Sequence, residues 1–193
     1  MKKLTEKKIA ESAGKIIYQS GLDNLSVDGL AGELRTDKQS VEVFCKNRND
    51  ILVLILVGLE NEISRLFGKS KSRRLPPEKE LNFIFKNVYQ LFNRKPFYTT
   101  VIFLVESLEG NPTAKQILTG IKMNARIYLI RLINRGKKDK VFTSSMKSGS
   151  LVNVILGSFR LLINQELIAD IMAREIEEYK TLKDLSQKQI INI

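Results

Sequence analysis

The sequence predicts an all-α protein: a three-helix helix-turn-helix head followed by a larger helical domain. Three observations carry that expectation. Apolar residues recur at helical spacing, as in Ile9, Ala13, Ile16 and Ile17. No long run alternates apolar with polar residues, as a half-buried strand would. Capping residues (Thr5, Ser26, Asp37) precede the periodic segments, and Gly21, Pro96 and Asn111-Pro112 mark their boundaries. A head over residues 1–47 and a second domain over 48–193 are expected.

The elements follow in order. Thr5 caps a first helix with Lys7, Lys8, Glu11 and Lys15 around its apolar face. Leu22 to Leu25 is a short link. Ser26 caps a second helix with Val27, Leu30, Ala31 and Leu34 on one stripe. Only Arg35 and Thr36 lie before Asp37, which caps a third helix over about 38–44, with Val41, Phe44 and Cys45 inward. Two short helices joined by so tight a turn, behind a longer one, make a helix-turn-helix unit. A fourth helix starts at Asn47 to Asp50. It runs through Ile51, Leu52, Ile55, Leu59, Ile63 and Leu66 to about Phe67. Gly68 to Pro77 reads as a loop. Further helices are expected over about 78–93, 97–108, 112–135, 145–166 and 168–185, with Gly136 to Thr143 a turn-rich link. Phe97 to Val105 is rich in aromatic and β-branched residues and would suit a strand; the helices on both sides favour a helix.

Composition excludes several function classes. Among 193 residues there is no His, so there is no His-based triad or imidazole base. Cys45 is alone, which excludes an internal disulfide and a zinc finger. No metal, no cofactor and no enzymatic activity are expected. Glu106 and Glu109 share a helix face, but nothing marks a substrate cleft beside them. The cysteine usage suits a reduced, cytoplasmic setting. Met1-Lys2-Lys3 is followed by Thr5-Glu6-Lys7-Lys8 where a secretory leader would be apolar. The longest apolar stretch, Ile51 to Leu59, is far short of the ~20 residues that span a bilayer, so no membrane partner is expected.

The net charge of +11 is unevenly spread. Residues 120–149 hold 8 basic residues and 1 acidic one, whereas 150–193 hold 5 and 6. A basic surface attracts polyanions, although lysines also serve simply to solubilise. Two clusters stand out, Lys69-Ser70-Lys71-Ser72-Arg73-Arg74 and Arg135-Gly136-Lys137-Lys138. Their Gly, Ser and Pro neighbours predict loops for both.

The ordered set over residues 9–59 resembles the DNA-binding head of TetR-type transcriptional regulators. It comprises Ile9 to Gly21, then Leu25-Ser26-Val27-Asp28-Gly29-Leu30-Ala31-Gly32-Glu33-Leu34, then Thr36 to Leu52 with Phe44-Cys45-Lys46-Asn47-Arg48-Asn49-Asp50. The order is the family's: a helix ending in Gly, a Ser cap, a helix with central Ala, a turn, a recognition helix, an aromatic position, then Lys-Asn-basic-x-acidic. Three positions depart from it. Arg35 stands where the turn usually has Gly, and Glu42 where the recognition helix usually has an aromatic that touches the DNA backbone. Cys45 also replaces the second large aromatic of the pair.

The resemblance implies double-stranded DNA as partner, with the recognition helix in a major groove. Lys38, Gln39 and Ser40 would reach base edges, Gln39 suiting adenine and Lys38 guanine. Ser26 at a helix N-terminus would meet a phosphate, as would Lys46 and Arg48. It further implies a ligand-binding and dimerisation domain: a homodimeric, ligand-responsive repressor on a near-palindromic operator. Leu151, Ile155, Phe159 and Leu162 are the candidate dimer interface. Tyr89, Phe92, Phe103, Glu106 and Tyr128 are the candidate site for an unknown small-molecule inducer, although an aromatic stripe also suits core. The alternative, motivated by Arg35 and Glu42, is a helical dimer whose degenerate head does not bind DNA and which binds a small molecule or protein instead.

Overall fold

A computed structural model describes residues 4–107, 111–142 and 145–163. The described residues form α1 (Glu6–Ser20), a 3-10 turn (Leu22–Asn24), α2 (Val27–Leu34), α3 (Lys38–Glu42), α4 (Arg48–Ser72), α5 (Pro77–Arg94), α6 (Phe97–Ser107), α7 (Pro112–Lys138) and α8 (Ser148–Ile163). No strand occurs among them, and Phe97 to Val105 is helical. No described helix is long and apolar enough to cross a membrane. The chain divides into two compact units, residues 1–153 and 154–193. The expected helix over 168–185 lies outside the described residues, as do 164–166 of the helix expected to reach 166.

Local chemistry starts each helix of the head. Thr5 Oγ1 accepts from Lys8 N–H at 3.3 Å, Ser26 Oγ from Gly29 N–H at 3.0 Å, and Asp37 Oδ1 from Ser40 N–H at 2.7 Å. Asn47 Oδ1 caps α4 through Asp50 N–H at 3.0 Å, and Asp50 Oδ2 reaches back to Lys46 N–H at 2.8 Å. These side chains satisfy donors that a helix start otherwise leaves open.

One hydrophobic core runs from Ile9 in α1 through Leu30, Val41, Ile55 and Val101 to Ile121 in α7. The head is therefore seated on α4 and α6 by continuous packing. α4 and α7 run parallel: Asn111 donates to the Asn49 carbonyl near their starts, and Phe67 stacks on Tyr128, 4.3 Å between centroids, toward their ends. Around that stack a smaller cluster joins Ile84, Tyr128 and Leu132 to Phe83 and Leu81.

Two expected loops are helical in their first residues. α4 continues through Gly68 to Ser72, so the 69–74 cluster ends a helix rather than occupying a loop. Gly in a helix costs about 1 kcal/mol. Here Leu66 and the fully buried Ser70 continue the inward face across it. The Pro76-Pro77 pair ends the link, with Pro77 at the first position of α5, where a missing N–H costs nothing. Likewise α7 continues through Gly136 to Lys138. The Phe142 ring folds back onto Gly136, in space a Cβ would fill, and the N–H groups of Val141 and Phe142 donate to the Gly136 carbonyl. Gly136 is thus a packing surface and not a breaker.

Candidate functional site

The head presents α2 and α3 across a turn of three residues, Arg35 to the capping Asp37. Arg35 makes that turn at φ 50° and ψ 51°, a left-handed conformation. Its N–H donates to the Gly32 carbonyl at 3.1 Å, and Thr36 N–H to the Ala31 carbonyl at 3.0 Å. This is a helix-ending motif in which Gly ordinarily sits, because a Cβ is unfavourable there. The departure at residue 35 therefore changes the cost of the turn and not its geometry.

α3 is anchored by the fully buried Val41 and by Cys45, whose thiol donates to the Val41 carbonyl at 3.7 Å. Burial pushes the Cys45 thiol pKa up, so it stays protonated and unreactive. Lys38 and Gln39 are exposed in the first turn of α3. Lys38 Nζ pairs with Asp28 of α2 at 3.0 Å, which raises its pKa and keeps it charged. The pair is open to solvent, so an incoming anion can compete with Asp28 for Lys38. Ser40 is half-buried, and both its N–H and its hydroxyl donate to Asp37, which lowers the Asp37 pKa. Its hydroxyl is thus engaged in the cap. Ser26 likewise caps α2 and remains exposed.

Lys46 is exposed. Arg48 turns the other way: its Nε donates to the Leu25 carbonyl at 3.1 Å and Nη2 to the Asp23 carbonyl at 3.2 Å. It ties the link before α2 to the start of α4. Glu42 is half-buried, one turn from Lys38, whose charge feels it. One residue escaped the sequence reading. Val43, between the inward Val41 and Cys45, is 79% exposed at the end of α3. Its neighbours' phase already pointed it outward, where an apolar side chain can meet a thymine methyl.

The five candidate ligand residues fall in different surroundings. Phe92 packs on the main core, edge-on to Tyr98 at 6.4 Å, while Tyr128 belongs to the smaller cluster. Tyr89 and Phe103 are each at least two-fifths exposed. Glu106 pairs with Lys122 of α7. The Tyr128 hydroxyl donates to Glu80, whose other oxygen holds Arg135. Burial first, and this bond second, push the Tyr128 pKa up to about 12.

One connection has no counterpart in the sequence reading. Lys95, between α5 and α6, pairs with Glu11 of α1 at 2.7 Å and Glu62 of α4 at 3.0 Å. Burial works against its charge, but the two carboxylates outweigh that and its pKa is raised. The triad ties the head's first helix to the body. Among the candidate interface residues, Leu151 is half-buried in the first unit beside the buried Val152. Ile155 and Phe159 lie one turn apart in the second unit, both half-buried. Leu162 is in the last described turn of α8; its side chain lies outside the described residues.

No family model and no curated relative matches the chain. Solved structures do. The fatty acid degradation regulator FadR from Bacillus halodurans aligns with TM-score 0.71 and 15% identity over 89% of each chain. The TetR family regulator PfmR from Thermus thermophilus aligns with TM-score 0.68 and 21% identity, over 81% of this chain and 85% of that one. A TetR/AcrR family regulator from Thermobifida fusca gives 0.66 and 14%, over 82% and 84%.

Proposed function

We propose that this chain, which has the fold of TetR-type regulators, is a DNA-binding transcriptional regulator. In this reading residues 1–47 form the DNA-reading head, and 48–193 the ligand-binding and dimerisation domain. The observation that carries it is the α2–turn–α3 unit: Arg35 makes the tight turn despite its side chain, Val41 and Cys45 seat α3 on the core, and Lys38 and Gln39 stand exposed on its first turn. Those two residues are assigned to base edges, and Ser26 and Lys46 to phosphates. Ser40 contributes by holding the cap, with its hydroxyl proton already given to Asp37, and Arg48 holds the α4 entry while its remaining N–H groups stay available to a phosphate.

A single head reads only a few base pairs, so the regulator acts as a homodimer on a near-palindromic operator. Leu151, Ile155, Phe159 and Leu162 are assigned to that interface. A small-molecule inducer binding among α4 to α7 favours an arrangement in which two heads no longer match their half-sites; Tyr89, Phe92, Phe103, Glu106 and Tyr128 remain its proposed contacts. Repression is the outcome this mechanism describes.

The test is anisotropy of labelled random duplex DNA against the full chain and the Lys38→Ala/Gln39→Ala/Lys46→Ala variant. The proposal expects a loss of about tenfold or more in affinity for the variant and a shallower salt dependence, since each phosphate contact releases counterions. Equal affinity of the two proteins would favour the alternative, a helical module that does not use its head on DNA.

A further inference from the structure

The two basic clusters lie far apart in sequence and meet in the structure, away from the head. α4 and α7 are parallel, so their C-terminal ends lie together. Arg135 Nη2 donates to the carbonyl of Leu75, the residue after Arg74, at 3.2 Å. Lys71 Nζ sits 5.6 Å from the centre of the Tyr128 ring, and the hydroxyl of that tyrosine shares Glu80 with Arg135. Arg73 stacks over Phe83 at 4.4 Å. Aromatic faces and a buried carboxylate thus seat three cations on one aromatic cluster.

These cations exceed what the helix ends require. No ion pair among the described residues engages Lys69, Lys71, Arg73, Arg74, Arg131 or Lys138. All six are exposed, and apart from Glu80, which Arg135 holds, the acids near them in sequence are Glu78 and Asp139. A helix C-terminus carries about half a negative charge, so two of them answer for about one cation. A surplus of about three charges remains, much of it on guanidinium groups whose fork fits phosphate oxygens.

We infer that the joint C-terminal end of α4 and α7 binds a soluble anion carrying two or more phosphate groups. The 25 residues of α4 put this site about 37 Å along the helix from the head. It is therefore distinct from the DNA surface and does not rest on the DNA-binding reading. A multiply charged anion bridges several seated cations at once, where single exposed pairs would be screened. An anionic bilayer is a poorer match. The exposed residues over 69–74 are Lys, Ser and Arg, with no apolar side chain to enter a membrane interface.

The test is calorimetric titration of the full chain with inorganic triphosphate at about 0.15 M salt. Saturable binding is expected, weakened about tenfold or more by Lys69→Gln/Lys71→Gln/Arg74→Gln. Arg74→Glu alone should weaken it in the same direction, which keeps the test valid if the triple variant folds poorly. Lys38→Ala/Lys46→Ala in the head should leave it unchanged. Absence of saturable binding, an equal loss in the head variant, or binding to phosphatidylglycerol vesicles without binding to triphosphate would each overturn the inference.

Discussion

Gly14 of α1 lies directly against the ring of Phe97, the first residue of α6, in space a Cβ would fill. The head helix and the body meet there without an intervening side chain. Gly14→Ala places a methyl inside the ring contact and forces α1 and α6 apart, at a cost of about 1–3 kcal/mol, as for other overpacked cores. Chemical denaturation measures it. Phe97→Leu in the same chain should recover part of the loss, because the two positions share one contact.

Arg35→Gly should stabilise the fold by about 1 kcal/mol, because Gly enters the left-handed region without a Cβ penalty. A shift of the denaturation midpoint to higher denaturant with an unchanged slope is the expected observation. A destabilised variant would mean that the Arg35 side chain supports the turn by a contact of its own.

If the head binds DNA as proposed, Glu42 of α3 faces the backbone with a carboxylate. Repulsion from a phosphate at this half-buried surface site amounts to about 1 kcal/mol. Glu42→Gln is expected to tighten DNA binding several-fold, most clearly at low salt. No gain at any salt concentration would remove Glu42 from the DNA surface.

High pH should unfold the protein through its buried tyrosines. Burial pushes Tyr98 up to about 12 from its ordinary 10.0, and Tyr128 also to about 12. The unfolded chain therefore loses these protons first. Their contribution to stability is complete below pH 10 and is lost as pH rises from about 10 to about 12. Tyrosinate absorbance should show Tyr98 and Tyr128 titrating late, together with the fall in melting temperature.

Lys95 joins Glu11 and Glu62, which lie on different helices. Lys95→Gln leaves two carboxylates without their shared cation. The pair is partly exposed, so the stability loss, discounted for screening, is about 1 kcal/mol. Neutralising both acids in the same chain should recover most of it.

What the sequence made legible was the local chemistry. Thr5, Ser26, Asp37 and Asn47 cap their helices because a cap is decided within three residues. The helical reading of Phe97 to Val105 likewise matches α6. The misread glycines show the limit. Gly68 and Gly136 look like breakers; the helix continues past the exposed Gly68 on the inward face of Leu66 and Ser70, and past Gly136 under the Phe142 ring. Lys95 gave no signal because its partners lie 84 and 33 residues away. Arg48 had the composition of a phosphate contact, and only the fold shows its bonds to the Leu25 and Asp23 carbonyls.

The central claim is that Lys38 and Gln39 on α3 read DNA sequence. Its most direct test is selection of bound fragments from a random duplex pool at near-physiological salt. The account predicts enrichment of one near-palindromic site, with Gln39→Ala relaxing the preference at a symmetric pair of positions within it. Retention that depends steeply on salt but enriches no sequence would contradict it and leave the head a basic surface without a target.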